Sequence, residues 1–173
     1  MLVRIRSWIC LVMVALTLTG CTALQSSSAK PYRPDQIMKY DASAKTAYIT
    51  LVAGADSGYG GFNFDGYSVG QLSIKIPLGW KVYVSCKNNS SVFTHTCAIV
   101  QAGPITPTGG KIVFGATSPH PLTGLPYGAV ANYSFTPNKL GKYRISCTVI
   151  GHEADGMWDW FYVTKSGLPS ISV

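Results

Sequence analysis

Short runs rich in Val, Ile, Thr and Tyr recur along the chain from about Thr46 onward, and several of them alternate apolar and polar residues. In the run "GQLSIKI", Leu72, Ile74 and Ile76 alternate with polar neighbours, and seven further runs have a similar composition: "TAYITLVA", "WKVYVSC", "FTHTCAIV", "GKIVFGA", "VANYSF", "KYRISCTV" and "WFYVT". Clusters of Gly, Pro or Asn separate the runs, and no amphipathic helix or internal repeat is evident. Many short runs of this kind, several of them with a period of two, predict an all-β protein with about seven or eight strands in a sandwich or barrel. One domain with a single core fits residues 46–173.

The first 20 residues have the features of an export signal. Arg4 and Arg6 precede the apolar run "WICLVMVALTLTG", which ends at small residues before Cys21. This order is typical of signal peptides, and the run is shorter than the roughly 20 residues that span a bilayer as a helix. The string "LTGC" resembles the lipobox of bacterial lipoproteins, in which the cysteine is acylated. We predict a lipoprotein signal over residues 1–20 and lipidation at Cys21; a permanent membrane helix is the alternative.

Residues 21–45 have the composition of a tether. They are polar, contain Ser and Pro, and show no sustained period, which is typical of a flexible linker. Within the segment, Ile37, Met38 and Tyr40 could pack as a short helical turn. We therefore predict an exported protein in which this tether joins a lipid anchor to the domain, facing the periplasm or the cell exterior.

The charge of the chain is basic but dispersed. The chain has 14 Lys+Arg against 7 Asp+Glu, a formal net charge of +7, and loss of Arg4 and Arg6 with the signal leaves about +5. Nucleic-acid binding usually needs a basic stripe with stacking aromatic residues, and no such stripe is present in the sequence. The charge predicts no nucleic-acid partner, and it suits an anionic lipid surface or an acidic redox partner.

The cysteines of the exported chain have different predicted roles. Cys21 is the predicted lipidation site and Cys147 lies in a separate motif, which leaves Cys86 and Cys97 on either side of a turn rich in Asn and Ser. In an oxidising compartment, the remaining even pair is most simply a disulfide. A metal-binding role for these two residues is the alternative.

The stretch "CTVIGHEADGMW" spaces three potential metal ligands evenly, with four residues between Cys147 and His152 and four between His152 and Met157. Of the other two histidines, His95 lies in a strand-like run, whereas His120 lies between prolines and is predicted to be exposed. Two imidazoles, a thiolate and a thioether form the trigonal His₂Cys site with a weak axial Met that is typical of blue copper. Zinc prefers tetrahedral Cys and His ligands and gains little from Met.

Each of these residues alone also fits an ordinary structural role. A single Cys in a β-domain is usually a small buried hydrophobe, and Met157 beside Trp158 would fit a core. Their combination favours a site, because a strand end, a turn with Gly151 and the start of the next strand bring three side chains together. His95 would then close the site from another strand.

With these motifs in place, the chain resembles the cupredoxins, most closely the branch of sulfocyanin and rusticyanin. The resemblance runs from about Lys45 to Val163 and is carried by "FNFDGYSVGQLSIKIPLGW", "THTCAIV", "YSFTPNKLGKYRISC" and "IGHEADGMWDW". It implies a Greek-key β-sandwich in two sheets and one type 1 copper per chain. It also implies a monomer that is not an enzyme and carries single electrons between redox partners such as a cytochrome or a terminal oxidase.

The same resemblance assigns further residues and shows departures. The family pattern falls on His95, Cys147, His152 and Met157 as ligands, and it gives Thr96 and Thr148 the task of tying the two ligand segments together. Relatives usually have apolar residues at the two positions predicted to form the disulfide. Ile150 stands where a proline is more common, and the absence of proline could loosen the ligand loop.

Other functions use related chemistry. A copper chaperone or storage lipoprotein is the main alternative, although delivery favours exposed, exchangeable ligands. A copper oxidase or nitrite reductase needs more histidines than His120 can supply. A binuclear electron-transfer site needs a second thiolate in the ligand loop, and residues 148–156 contain none.

Overall fold

The structure is a computed structural model that describes residues 30–173. The predictions for the export signal, for lipidation of Cys21 and for most of the tether lie outside these residues. In the described part, no helix is long and apolar enough to cross a membrane.

The described residues form a β-sandwich of ten strands with one short α-helix, α1, Pro34–Ile37. The strands are β1 Met38–Asp41, β2 Thr46–Ala53, β3 Ser73–Pro77, β4 Lys81–Asn88, β5 Ala98–Gln101, β6 Ile112–Thr117, β7 Val130–Phe135, β8 Gly141–Ser146, β9 Trp158–Thr164 and β10 Ser170–Ser172. A 3₁₀ turn spans Gly58–Gly61. One sheet has the order β1-β2-β4-β7 and the other the order β10-β3-β9-β8-β5-β6.

Both sheets are mixed, because β2 runs parallel to β4 and β3 runs parallel to β9, whereas the other pairs are antiparallel. All eight runs predicted from the sequence correspond to strands, β2 to β9. The two additional strands, β1 and β10, are short edge strands of four and three residues. Their sequences, "MKYD" and "SIS", are mostly polar and lack an apolar run, which explains why the sequence predicted fewer strands.

Alternation along the strands produces the core between the sheets. In β4, Val82, Val84 and Cys86 are buried and the residues between them are more exposed, while in β9 Phe161 and Val163 face the same core. Strands with one buried face and one exposed face are expected when two sheets pack together. The core runs through the whole sandwich and supports the loops at both ends.

The folded domain begins before residue 46, where the sequence placed the boundary with the tether. Ile37 is buried in the core, β1 pairs with β2 through Met38 opposite Ile49, and the amide of Tyr32 donates to the carbonyl of Asp65. The apolar signal in this segment is only two residues long and is surrounded by polar residues, so composition alone indicated a tether.

A disulfide links the two sheets. Cys86 lies on β4 of the first sheet and Cys97 directly precedes β5 of the second, and their sulfurs are bonded. This pairing is the one predicted from the sequence. A cross-link of this kind typically contributes about 2–4 kcal/mol to the free energy of unfolding, and it lies two residues from His95.

Candidate metal centre

His95 is held at one end of the sandwich, in the segment that leads from β4 to β5. Its backbone pairs with Leu125 in a β-bridge, and its side chain is fully buried. Gly124 allows this pairing, since a Cβ there would lie 2.8 Å from the His95 nitrogen and the residue has a φ of +76°. This backbone pairing therefore fixes the position of His95 at this end of the sandwich.

The loop from Cys147 to Met157 connects β8 to β9 at the same end and is closed by its own backbone. The amide of Cys147 donates to the carbonyl of Met157 over 3.2 Å, and the amide of Met157 donates to the carbonyl of His152 over 2.9 Å. Gly151 has a φ of +90°, which glycine adopts at little cost, and its amide donates to Pro107. The three evenly spaced residues thus lie on one compact loop.

Three donor atoms converge between these segments. His95 Nδ1 lies 3.2 Å from His152 Nδ1 and 3.8 Å from Cys147 Sγ, and His152 Nδ1 lies 3.3 Å from the same sulfur. The point equidistant from the three atoms is about 2.0 Å from each, close to the lengths of metal–nitrogen and metal–sulfur bonds, about 2.0–2.3 Å. The separations fit a metal ion bound by all three residues.

Within the described residues, His95, Cys147 and His152 form the one group of His, Cys, Asp and Glu side chains close enough to hold a metal. Met157 is fully buried and belongs to the same loop. His120 is exposed, as predicted, and lies outside the group. Cys86 and Cys97 cannot act as thiolate ligands because their sulfurs are bonded to each other.

Thr96 and Thr148 join the two ligand segments by hydrogen bonds. The Thr96 amide donates to Cys147 Sγ over 3.3 Å, and the Thr148 amide donates to the Thr96 hydroxyl over 2.7 Å. The two hydroxyls are 3.0 Å apart, and that of Thr148 donates to the Pro121 carbonyl. These bonds hold the thiol beside the first histidine.

Comparison with known proteins now identifies the family. Residues 34–169 match the sulfocyanin (SoxE) domain. The chain belongs to the sulfocyanin family. It is 37% identical over 128 residues to the sulfocyanin of Sulfolobus acidocaldarius, an alignment that covers 69% of this chain and 64% of that protein. The chain therefore spans less than two thirds of the length of that relative.

Solved structures agree with a cupredoxin fold for this sulfocyanin-family chain. Reduced rusticyanin superposes with a TM-score of 0.52 at 22% identity, covering 75% of this chain and 88% of rusticyanin. Dithionite-reduced auracyanin from Roseiflexus castenholzii gives a TM-score of 0.50 at 20% identity, covering 68% of this chain and 96% of auracyanin. The resemblance to cupredoxins seen in the sequence is confirmed. The cofactor of this fold family is one type 1 copper, which the soft sulfur and two imidazole donors fit.

Burial disfavours the charged form of both imidazoles in the sulfocyanin-family site. It lowers the pKa of His95 to about 4, with a further contribution from His152, and it also lowers the pKa of His152. Burial raises the pKa of the Cys147 thiol, an effect that hydrogen bonds from Thr96 oppose. Neutral imidazole and thiolate are the ligating forms. Metal binding therefore needs no proton release from the histidines near neutral pH, but it must displace the thiol proton.

Two aromatic rings that the sequence did not assign to the site enclose the histidines. The ring centroid of Phe62 lies 4.9 Å from that of His152, and Phe93 lies 5.9 Å from His152 and 6.2 Å from His95. Phe62 lies in the "FNFDG" segment that contributed to the family resemblance, although nothing in its local pattern indicated contact with His152. Together the rings pack against one side of the donor group.

Proposed function

We propose that the chain is a mononuclear type 1 copper electron-transfer protein, with His95, Cys147, His152 and Met157 as ligands. The supporting observation is the convergence of two imidazole nitrogens and one thiol sulfur at separations of 3.2 to 3.8 Å. A copper ion bound there would supply one-electron chemistry by alternating between Cu(I) and Cu(II).

The residues around the donors favour a fixed geometry over an exchangeable one. His95 and Cys147 are fully buried and His152 is only 8% exposed. Thr96 donates to the sulfur and thereby orients it, and such bonds to ligands tune metal affinity. A copper chaperone or storage protein works best with accessible ligands, so the burial favours the electron carrier.

The surface near His152 suits brief contact with a redox partner. Ile150 and Leu122 are 66% and 57% exposed, and Phe93, which contacts His152, is also partly exposed. Leu122 follows Pro121, whose carbonyl accepts a hydrogen bond from the Thr148 hydroxyl in the ligand loop. We propose that this apolar surface docks a redox protein such as a cytochrome or terminal oxidase, because weak redox encounters use small interfaces.

We further propose that the protein is exported and lipidated at Cys21. The Cys86–Cys97 disulfide supports an oxidising compartment. An acyl anchor joined to the domain by a short tether would raise the local concentration of the protein near membrane-bound partners. Mass spectrometry of the exported protein would detect the acyl groups on Cys21, and an unmodified Cys21 would contradict the anchor.

Visible absorption and electron spin resonance of the detergent-solubilised chain with Cu(II) test the electron carrier. We expect an intense thiolate-to-copper band that ascorbate bleaches reversibly and that Cys147→Ser lacks. His120→Ala is the matched control, since this exposed histidine lies outside the donor group, and it should keep the band. A colourless protein that exchanges Cu(I) readily would favour the chaperone instead.

A further inference from the structure

A completely buried ion pair lies beside the metal centre and has no part in ligation. Arg144 Nε donates to Glu153 Oε1 over 2.7 Å, and the two side chains are 3% and 0% exposed. Arg144 extends from β8, three residues before Cys147, and Glu153 follows His152 directly. The pair therefore bridges the strand that leads to one ligand and the loop that carries another.

Further contacts extend the pair to other parts of the site. The second oxygen of Glu153 accepts a hydrogen bond from the Thr106 amide over 3.1 Å, and Arg144 Nη1 donates to the carbonyl of Gly103 over 2.8 Å. The guanidinium carbon of Arg144 lies 5.8 Å from the centroid of the Trp158 ring, and Trp158 follows Met157. The ion pair thus includes the residue next to His152, lies close to Trp158, which follows Met157, and begins three residues before Cys147.

The segment over residues 103–109 is also fastened to the ligand loop by its backbone. The Pro107 carbonyl accepts the amide of Gly151 over 2.7 Å. At Gly109, which has a φ of +69°, a Cβ would lie 2.7 Å from the Cα of Thr148, so the segment packs directly on the loop. The ion pair is the polar centre of this packing.

Stability alone does not explain this pair. Removing two charges from water carries a large desolvation penalty, and apolar residues of similar volume often stabilise a fold as well or better. Arg144 Nη2 also lacks a hydrogen-bond partner among the described residues, so the pairing is incomplete. Directional hydrogen bonds from a rigid guanidinium fork do, however, fix geometry in a way that apolar contacts cannot.

We propose that Arg144 and Glu153 are positioning residues that hold the Cys147–Met157 loop in its metal-binding arrangement before copper arrives. This inference rests on the proposed ligand role of His152 and Met157. In the metal-free protein, the pair keeps the loop ordered, so that binding does not have to order it. Loss of the pair should lower copper affinity by about 10- to 100-fold, the range typical of residues that orient ligands.

A neutral double variant, Arg144→Met with Glu153→Leu, separates positioning from stability. It leaves no unpaired buried charge, so its thermal midpoint should stay near that of the parent chain. We expect its Cu(I) dissociation constant, measured against a chromogenic chelator, to rise at least tenfold. In the metal-free protein, amides of residues 148–157 should exchange with deuterium at least tenfold faster. Ala154→Ser is the matched control, because it changes an exposed, uncharged side chain of the same loop and should change neither quantity.

A double variant with parental copper affinity and parental loop protection would overturn the proposal, whatever its thermal midpoint. If the double variant does not fold, Arg144→Lys decides, because it retains the charge but loses the fork: faster loop exchange supports positioning, and unchanged exchange contradicts it. Failure of the proposed function has a different signature. The parent chain would then lack a thiolate-to-copper band, while loop exchange in the metal-free protein would still test the role of the pair.

Discussion

At the end of the sandwich that carries the donor group, many buried side chains are polar, whereas the opposite end is closed by apolar residues. Trp80, Phe135 and Val163 are buried near the turns far from the site. Buried polar residues near the site include Asn63, Asp65, Asn88, His95, Thr96, Thr148, His152 and Glu153. Each buried polar group needs a partner to offset its desolvation. The apolar end therefore stabilises the fold. Burial of the polar end costs stability, but its hydrogen bonds hold the candidate ligands in a defined arrangement.

We expect a substitution at the apolar end to cause the largest loss of stability and to leave the metal centre unchanged. Phe135 is 3% exposed and packs against Phe114 and Phe161. Phe135→Ala should lower the free energy of unfolding by about 3–5 kcal/mol, through lost burial and the cavity left behind. Denaturant unfolding of the metal-free protein measures the loss. A changed visible spectrum in the folded variant would show that the two ends are not independent.

The polar end should make stability depend on pH. Burial raises the pKa of Asp65 to about 7, above the value of about 3.9 expected in the unfolded chain. The folded protein therefore binds a proton more tightly than the unfolded chain. This contribution to stability is complete below about pH 4 and is lost as the pH rises towards 7.

Asp65→Asn tests this sign, because asparagine keeps an oxygen that can accept the bond from the Val52 amide. The decline in unfolding free energy between pH 4 and 7 should become shallower by roughly 1 kcal/mol per pH unit. Urea unfolding at several pH values provides the measurement. The prediction fails if parent and variant show the same slope.

The disulfide connects the sheets between the two ends, close to His95. Replacing Cys86 and Cys97 together by Ala should lower the unfolding free energy by about 2–4 kcal/mol. Added reductant should destabilise the parent by a similar amount and leave the double variant unaffected. Equal denaturation midpoints for parent and variant would mean that packing alone holds the sheets together.

The smallest stability effect is expected at Thr96, within the polar end. Thr96→Val removes the hydroxyl that accepts a hydrogen bond from the Thr148 amide. The buried Thr148 amide then lacks a partner. The expected cost is about 1–2 kcal/mol, together with a shift of the thiolate-to-copper band and weaker copper binding. Thr50→Val, on the exposed face of β2, is the matched control. An unchanged band in Thr96→Val would show that the backbone alone positions Cys147.

The sequence predicted these two ends to different extents. Short runs rich in β-branched and aromatic residues predicted β2 to β9. Regular spacing of soft donors pointed to Cys147, His152 and Met157 as candidate ligands, and His95 was added because it lies in a strand-like run. Arg144 was missed because it occupies an outward position between Tyr143 and Ile145, where a charged residue is normally exposed. The segment over residues 103–109 buries Arg144. This segment is distant in sequence and has no periodic apolar pattern that would predict the contact. Phe62 was missed because its contact is with His152, which is distant in sequence.

The positions of the cysteines along the chain have a consequence for biogenesis. Cys86 and Cys97 are separated by 11 residues, and under the proposed export both would leave the export machinery before Cys147. Closing their short loop costs about 1 kcal/mol less in entropy than closing a loop from Cys97 to Cys147. In the proposed exported protein, oxidative folding could therefore finish the native pair before Cys147 is translocated. That order of synthesis would keep the Cys147 thiol out of a wrong disulfide.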